Sequence, residues 1–235
     1  MKKFYKLVSP HQEGDHYHIH LDGRPVKCPS GTVLAAPTKQ LADAIVLEWA
    51  AQEEEIKPDT MPLTQILTTC IDRVSMERPA MEAALLKYFD TDLICYRAGD
   101  DPPGQREAQE QAWDEWINWF SEHFGETLKT TTEIAAISQD KSAYEKVASY
   151  VKLLDDNRFT AFQLVVSASG SLILGLAFAE GDITPQQIFD AAHVEEHFKA
   201  SIYNEEKYGA APHEEKKRAD MLRDLEASEA YMQLL

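Results

Sequence analysis

The early part of the chain alternates between apolar and polar positions with the period of a β-strand. From His16 to Leu21, aromatic and aliphatic side chains occupy the odd positions and histidines occupy the even ones. Asp22 and Gly23 form the two-residue sequence typical of a hairpin turn with positive φ. The pattern therefore predicts a small antiparallel β region in which residues 24–28 form the returning strand.

Helical spacing begins directly after this region. Thr38 is expected to cap a helix whose apolar positions recur three and four residues apart as far as Gln52, with Pro58 as its stop and Pro62 opening the next helix. Three further apolar stripes have helical spacing: Ile66, Leu67, Cys70, Ile71 and Val74; Met81, Ala84, Leu85, Tyr88 and Phe89; Trp113, Trp116, Ile117, Phe120 and Phe124.

Local signals divide the second half of the chain into helices and connections. Ser142 with Glu145 predicts a capping box that opens a helix to about Leu154, and Thr184 with Gln187 predicts another whose helix includes residues 193–199. Three more segments are predicted from their composition and spacing. Residues 100–104 are expected to form a loop, residues 127–137 an extended chain, and residues 212–235 a charged helix with a narrow apolar edge.

The change of period predicts an α+β fold. We expect a small β-rich N-terminal domain with one helix over residues 1–60, followed by a larger multihelical domain over residues 61–235.

One long apolar segment leaves two structural alternatives open. Residues 159–179 contain no charged side chain over 21 positions, which is long enough to cross a bilayer. Several serines and the sequence Ser169-Gly170-Ser171 interrupt it near its middle. A pair of buried helices is therefore favoured over a membrane span.

The charge of the chain limits its partners. A formal net charge of -17 disfavours nucleic-acid phosphates and anionic lipids as the main partner and favours a protein or a small molecule. The three cysteines are too widely spaced for a disulfide framework or a zinc pattern, which suits a reducing compartment. The N-terminal sequence has no recognisable targeting leader, so we expect a cytoplasmic bacterial protein or a processed organellar one.

Two histidine patterns are candidates for metal chemistry. His16, His18 and His20 share one face of the predicted strand, where they form either a metal site or a solvated polar face. The sequence from His193 to His197 fits the H-x-x-E-H pattern, in which both histidines bind zinc and Glu196 activates water. The third ligand of such a zinc hydrolase would come from Glu205, Glu206, Glu214 or Glu215. The chain has no phosphate-binding glycine motif and no serine nucleophile elbow, so we expect no cofactor.

Four groups of residues, in one order along the chain, resemble a known family. They are Leu21-Asp22-Gly23-Arg24-Pro25; Glu48-Trp49-Ala50-Ala51-Gln52 with Ile56-Lys57-Pro58 and Met61-Pro62-Leu63-Thr64; Asp92-Leu93-Ile94-Cys95-Tyr96-Arg97-Ala98; and Gly170-Ser171-Leu172-Ile173-Leu174-Gly175-Leu176-Ala177. From about residue 4 to residue 206 the chain resembles the assembly chaperones that hold the α subunit of the ATP synthase catalytic head before it meets its β partner.

This resemblance implies a binding protein without catalytic activity or a cofactor. Its partner would be the free α subunit, which it would keep from aggregating without using ATP, in the bacterial cytoplasm or, in eukaryotic relatives, in the mitochondrial matrix. The resemblance makes Glu195 and Glu196 the first candidates for partner binding, with Phe198 beside them as an apolar anchor; the alternative is a solvated helix face.

The other residues of these motifs are assigned mainly to the integrity of the fold. They include Trp49, expected to be buried, and an expected ion pair between Arg97 and Asp92. The chain departs from the family at Tyr203-Asn204-Glu205-Glu206, and residues 207–217 have no counterpart. The zinc hydrolase remains the alternative from another functional class.

Overall fold

The computed structural model describes the backbone of residues 1–203 and 212–235, and the side chains of residues 1–200 and 215–235. The chain forms two compact units, and each is described separately. Unit 1 comprises Met1–Met81, Asp155–Ala161 and Ala227–Leu235, and unit 2 comprises Glu82–Leu154 and Phe162–Glu226. The expected α+β class is confirmed, and the expected domain boundary at residue 60 stays a prediction.

Unit 1 contains a small antiparallel sheet. Its strands are β1 (Val8–Glu13), β2 (His16–Leu21), β3 (Arg24–Pro25) and β4 (Ala35–Ala36). Strand β2 pairs with all three others. The predicted turn is confirmed, because Asp22 has φ 49° and Gly23 has φ 80°. The returning strand is shorter than predicted.

The alternation along β2 is also confirmed. Ile19 and Leu21 are buried, whereas His16 on the opposite face is exposed. Helix α1 (Lys39–Ala50) packs against β1 and β2. Its predicted N-cap is correct, since the hydroxyl of Thr38 accepts a hydrogen bond from the Leu41 amide at 3.1 Å.

The predicted end of α1 is wrong, because the helix stops at Ala50, well before Pro58. The side chain of Gln52 holds the chain that leaves the helix: its Nε2 donates to Glu48 O at 3.0 Å, and its Oε1 accepts from Lys57 N at 2.8 Å. These bonds favour a loop over further helical turns. Pro58 instead begins a short 3₁₀ turn, Pro58–Thr60.

The carboxylate of Glu48 caps the next helix, α2 (Pro62–Thr69). Its two oxygens accept from Leu63 N at 2.7 Å and from Thr64 N at 2.8 Å, and Thr64 Oγ1 also donates at 2.7 Å. Burial raises the pKa of Glu48, and the hydrogen bonds from Thr64 and Leu63 lower it. Two segments of one family motif therefore meet in a helix cap.

After α2 the helical path continues through one wider turn. A π-helical turn, Cys70–Val74, joins α2 to α3 (Ser75–Leu85). The predicted stripe is confirmed as buried at Ile66, Leu67, Cys70 and Val74. The π-turn itself was not predicted, and such turns are frequent at functional sites.

The remaining elements are mainly helical. They are the 3₁₀ segments Leu86–Asp90 and Leu93–Cys95 and the helices α4 (Gln105–Phe124), α5 (Lys141–Leu153), α6 (Asp156–Ser169), α7 (Leu172–Glu180), α8 (Pro185–Ala192), α9 (Val194–Tyr203) and α10 (Pro212–Gln233). Helix α4 lies at the centre of unit 2, in contact with α5, α7, α8 and α9. Its predicted apolar stripe is confirmed by the burial of Trp113, Trp116 and Phe120.

The apolar segment 159–179 forms the predicted pair of helices. Helices α6 and α7 are separated at Gly170, which has φ 70°. Phe162, Val166, Leu172 and Leu176 are fully buried. Within the described ranges, no helix combines the length and the apolar character that crossing a membrane requires.

Three local predictions receive different outcomes. The capping box of Thr184 and Gln187 is confirmed. The capping box at Ser142 is wrong, because α5 begins at Lys141 and the Ser142 hydroxyl donates instead to Glu126 Oε2 at 3.0 Å. Residues 127–137 form a mostly irregular connection with one isolated bridge, between Thr131 and Tyr96, and not a strand.

Candidate functional site

The predicted site residues lie on α9, which follows a break in the helical path at His193. The backbone N–H of His193 donates to Phe189 O at 3.1 Å and to Asp190 O at 3.2 Å, which caps α8. The imidazole stacks on the Phe189 ring with 4.1 Å between centroids. The prediction of one helix through residues 193–199 is therefore wrong, since α9 begins only at Val194.

Glu195 is anchored to α4. Its Oε1 accepts a hydrogen bond from Nε2 of Gln109 at 2.8 Å, and Gln109 is 1% exposed. The carbonyl oxygen of the same Gln109 side chain accepts from Ala98 N at 2.6 Å. Gln109 thus fixes the position of the half-buried Glu195 carboxylate, a role that the sequence did not reveal.

Glu196 lies on the exposed side of α9 and has a different partner. Its Oε2 accepts from Nη2 of Arg218 at 3.0 Å and from Nε at 3.1 Å. Arg218 belongs to α10, so this ion pair links α9 to the described start of the last helix within unit 2. A pair this exposed contributes little stability and is open to exchange with another cation.

Phe198 is half-buried beside the beginning of α4. A Cβ added to Gly104 would lie 3.4 Å from Cε2 of the Phe198 ring. Gly104 has φ 91°, a conformation that favours glycine, so the residue before α4 is suited both to its turn and to the approach of the ring. The three predicted residues thus share one helix, and each contacts a different neighbour.

Arg97 supports Glu195 indirectly, through its contact with Gln109. Its Nη2 contacts Asp114 Oδ1 at 2.7 Å, its Nη1 donates to Gln109 O at 2.8 Å, and the guanidinium lies 5.0 Å from the centroid of Trp113. The predicted ion pair with Asp92 is wrong. Arg97 therefore holds the backbone of Gln109, whose side chain holds Glu195.

Asp92 has another role, because it is fully buried and faces hydrogen-bond donors. Its carboxylate accepts from Ser171 Oγ at 2.6 Å, from Ile173 N at 3.0 Å and from Ile94 N at 3.2 Å. The third and fourth family motifs therefore meet at one carboxylate. Like Glu48, Asp92 joins segments of the fold.

The two histidines of the H-x-x-E-H pattern lie close together at the start of α9, with 6.2 Å between their ring centroids, but their polar contacts differ. His193 is buried with Nδ1 2.8 Å from Phe189 O, Glu196 contacts Arg218, and His197 is exposed. Across the described part of the chain, no group of three histidine, cysteine or acidic side chains is placed to hold a metal ion. Glu205 and Glu206, two of the proposed third ligands, lie outside the described residues, as does the Glu214 side chain.

The histidines of β2 gain a neighbour that the sequence did not reveal. His11 of β1 lies opposite His18 in the sheet, and its ring stacks on His20 with 4.9 Å between centroids. His18 Nδ1 lies 3.0 Å from Glu13 Oε2. Finding His11 from sequence required the register of β1 against β2, which the turn at Gly14 suggests.

Comparison with known proteins decides the family. The family model described as ATP12 chaperone protein matches residues 2–121, just over half of the chain. The chain belongs to the ATP12 chaperone family. This confirms the resemblance to ATP synthase assembly chaperones, and the matched range includes the first three of the four motif groups.

Solved ATP12 structures share the whole fold. The crystal structure of Atp12 from Paracoccus denitrificans has a TM-score of 0.89 and 33% sequence identity, covering 99% of this chain and 97% of that one. A mutant of the Paracoccus protein gives the same values. The α+β architecture of this ATP12 chain is thus shared with a structure of the family.

Curated ATP12 relatives from yeasts are more distant. The mitochondrial atp12 protein of Schizosaccharomyces pombe is 24% identical over 197 residues, which is 79% of this chain and 68% of that protein. The mitochondrial ATP12 protein of Saccharomyces cerevisiae is 28% identical over 113 residues, which is 40% of this chain and 35% of that protein. Helix α9 lies outside the range of the ATP12 family model, so Glu195, Glu196 and Phe198 remain predicted site residues.

Proposed function

We propose that this protein is an ATP-independent assembly chaperone that binds the free α subunit of F-type ATP synthase and prevents its aggregation before the α and β subunits assemble. Membership of the ATP12 chaperone family carries this proposal. The chaperone acts by binding, not by catalysis. It works in the bacterial cytoplasm, or in the mitochondrial matrix in the case of eukaryotic relatives.

The physical task of the chaperone is to cover a surface of the unassembled α subunit that the neighbouring subunit will later cover. A ring subunit on its own exposes such a surface, and large exposed apolar patches promote aggregation. A chaperone at a hundred times its dissociation constant stabilises the folded subunit by about 2.7 kcal/mol. The net charge of -17 speeds encounter with a complementary basic surface and still allows displacement.

Helix α9 supports the proposal as a contact surface. Glu196 is exposed and its ion pair with Arg218 is weak enough for exchange, while Glu195 and Phe198 are held in place by contacts with residues 97–109. A fixed carboxylate and a fixed aromatic ring lose little conformational entropy on binding. We assign Glu195, Glu196 and Phe198 to partner binding on this basis.

The function is tested with separated subunits. The purified protein is incubated with free α subunit and, in parallel, with free β subunit, and capture and light scattering are measured. We expect capture of α, suppression of its aggregation and little recovery of β. Equal capture of both subunits, or α that stays equally soluble without the chaperone, would overturn the proposal.

The site is tested by changing charge at positions of known exposure. Glu196→Lys on α9 is compared with Glu122→Lys on α4, because both positions are exposed and both substitutions reverse a charge. We expect Glu196→Lys to weaken capture of α about tenfold, as expected for the loss of one charge-assisted contact, with Glu122→Lys near wild type.

Glu195 needs a milder substitution because Gln109 donates to it. Glu195→Gln keeps an acceptor for that hydrogen bond and removes only the charge, so its thermal transition should stay near wild type. Weaker capture then assigns the charge of Glu195 to binding. If Glu195→Gln and Glu196→Lys both capture α normally, the site assignment fails while the function itself stands.

A further inference from the structure

Unit 1 contains a groove that the proposed site on unit 2 does not use. It has a volume of about 690 Å³ and lies beside the π-turn that joins α2 to α3. Ser30, Thr32, Ala35 and Pro37, from the segment that contains β4, contribute to its lining, as do Asp156 and Asn157 at the start of α6. All of these segments belong to unit 1.

The groove is acidic. Two carboxylates line it, Asp72 and Asp156, and no lysine or arginine is found among its described lining residues. Asp72 accepts hydrogen bonds from Ser30 N at 3.1 Å and from Ser30 Oγ at 2.6 Å, and these neutral donors leave its negative charge unbalanced. Asp156 is balanced by Arg78, whose Nη1 lies 2.9 Å from its Oδ1.

The two arginines nearest to Asp72 in sequence each contact another carboxylate. Arg78 is 14% exposed, contacts Asp156 and lies over the Phe159 ring, 3.8 Å from its centroid. The guanidinium of Arg73, next in sequence to Asp72, lies 3.8 Å from Glu77 Oε2. Asp72 is thus a half-buried carboxylate available to a cation from outside the chain.

Part of the groove lining is apolar. Leu67 and Ile71 line it from α2 and the π-turn, and Ala35 and Pro37 line it from the segment that contains β4. Met76 lies on the same lining with 79% of its surface exposed. A thioether side chain is flexible and polarizable, which suits a surface that must fit segments of varied shape.

We propose that this groove binds a short segment of the unassembled subunit in which a lysine or arginine stands beside an apolar residue. The cation contacts Asp72, and the apolar side chain packs on Ile71 and Met76. This inference rests on the proposed chaperone function and adds to it a second contact surface, on unit 1.

Charge selects this occupant over the alternatives. The protein has a net charge of -17, so a second copy of the chain is repelled from an acidic groove, as are acidic segments and anionic ligands. A basic segment gains from both the local carboxylate and the overall field. Binding should therefore weaken as ionic strength rises.

The groove is tested with two variants of its lining, Met76→Lys and Asp72→Asn, and with Leu47→Lys as the matched control for Met76→Lys. Met76→Lys places a cation on the lining, and Leu47→Lys makes the same change on α1 at a position that is 70% exposed and not on the lining. Asp72→Asn removes the charge and keeps an acceptor for Ser30. Each full-length variant is titrated with free α subunit and with arrays of overlapping peptides that cover the α and β subunits.

We expect wild type and Leu47→Lys to bind α-subunit peptides that carry lysine or arginine beside an apolar residue. Asp72→Asn should weaken this binding about tenfold through the loss of one charge-assisted contact, and Met76→Lys should weaken it about as much because its cation repels the basic segment. If α is captured but neither variant affects its binding or that of any peptide, the groove proposal is wrong and the chaperone function stands.

Three other outcomes separate the proposals further. Binding of basic apolar peptides from β alone, lost in Met76→Lys, supports the groove and contradicts α as the client. The groove proposal would be overturned if native mass spectrometry showed that the wild type forms dimers and that Met76→Lys dissociates them. Preferred binding of acidic peptides would also overturn it.

Discussion

Asp92 shows how a motif residue can be explained by the fold alone. It is fully buried, and it joins the start of the 3₁₀ segment Leu93–Cys95 to the start of α7 through Ser171. Burial raises the pKa of Asp92 to about 6, against hydrogen bonds from Ser171, Ile173 and Ile94 that lower it. The unfolded chain leaves this carboxyl near its ordinary pKa of about 3.9.

The raised pKa predicts a pH dependence of stability. Because the folded protein binds the Asp92 proton more tightly than the unfolded chain does, this contribution is fully present below about pH 4 and is lost as pH rises through about 6. The free energy of unfolding of wild type, relative to that of Asp92→Asn, should therefore fall by about 2 to 3 kcal/mol between these pH values. Urea unfolding across the range measures it.

The comparison with Asp92→Asn removes the contributions of the other carboxyl groups, which titrate equally in both proteins. A difference that stays constant from pH 4 to 7, or that rises, would contradict the assigned pKa.

At the scale of elements, local signals were enough where both partners lie close together in sequence. The cap of α1 at Thr38 and the capping box at Thr184 and Gln187 each close within three residues, and both are confirmed. The sequence of α5 offered a similar signal at Ser142, but its hydroxyl is bonded to Glu126, which lies on another segment. Tertiary contacts decided that helix start.

The candidate site could be predicted only in part for the same reason. The sequence indicated α9 through its acidic pair and Phe198, but the partner of Glu195 lies 86 positions away at Gln109. The break between α8 and α9 also depends on a distant contact, because the Trp113 indole donates to Ala191 O at 2.8 Å. Residue spacing along one segment contains no information about such partners.

The packing of α6 against α7 leads to the second prediction. A Cβ added to Gly175 would lie 2.3 Å from Cγ2 of Val166 and 3.1 Å from Cε2 of Phe162, both fully buried. Gly175→Ala should therefore destabilise the protein by about 1 to 3 kcal/mol through overpacking. Gly99→Ala is the control, since nothing lies within 4 Å of its added Cβ.

Denaturant unfolding of four proteins tests this contact: wild type, Gly175→Ala, Val166→Ala and the double variant. Val166→Ala removes the atom that the new methyl group meets, so Gly175→Ala should be less destabilising in that background than in wild type. Purely additive free energies would show that the two residues do not meet as described.

At the scale of the whole molecule, each compact unit is built from segments that are separated in sequence. Unit 1 combines the N-terminal residues with Asp155–Ala161 and with the C-terminal Ala227–Leu235. Tyr231 of α10 is fully buried and donates to Asn157 Oδ1 at 2.6 Å, and Thr38 Oγ1 donates to Leu234 O. The last residues of the chain therefore stabilise the unit that contains the first ones, as well as the groove beside Asn157.

This arrangement predicts that one hydroxyl near the C-terminus affects the stability of unit 1. Tyr231→Phe keeps the buried ring and removes the donor to Asn157, so it should destabilise the protein by about 1 to 2 kcal/mol. Tyr144→Phe on the exposed side of α5 is the matched control and should change stability by less than about 0.5 kcal/mol. Urea unfolding measures both. Equal effects would show that the contact with Asn157 contributes nothing, whereas the expected difference would show that this hydrogen bond from the C-terminal turn of α10 stabilises unit 1, which contains the groove.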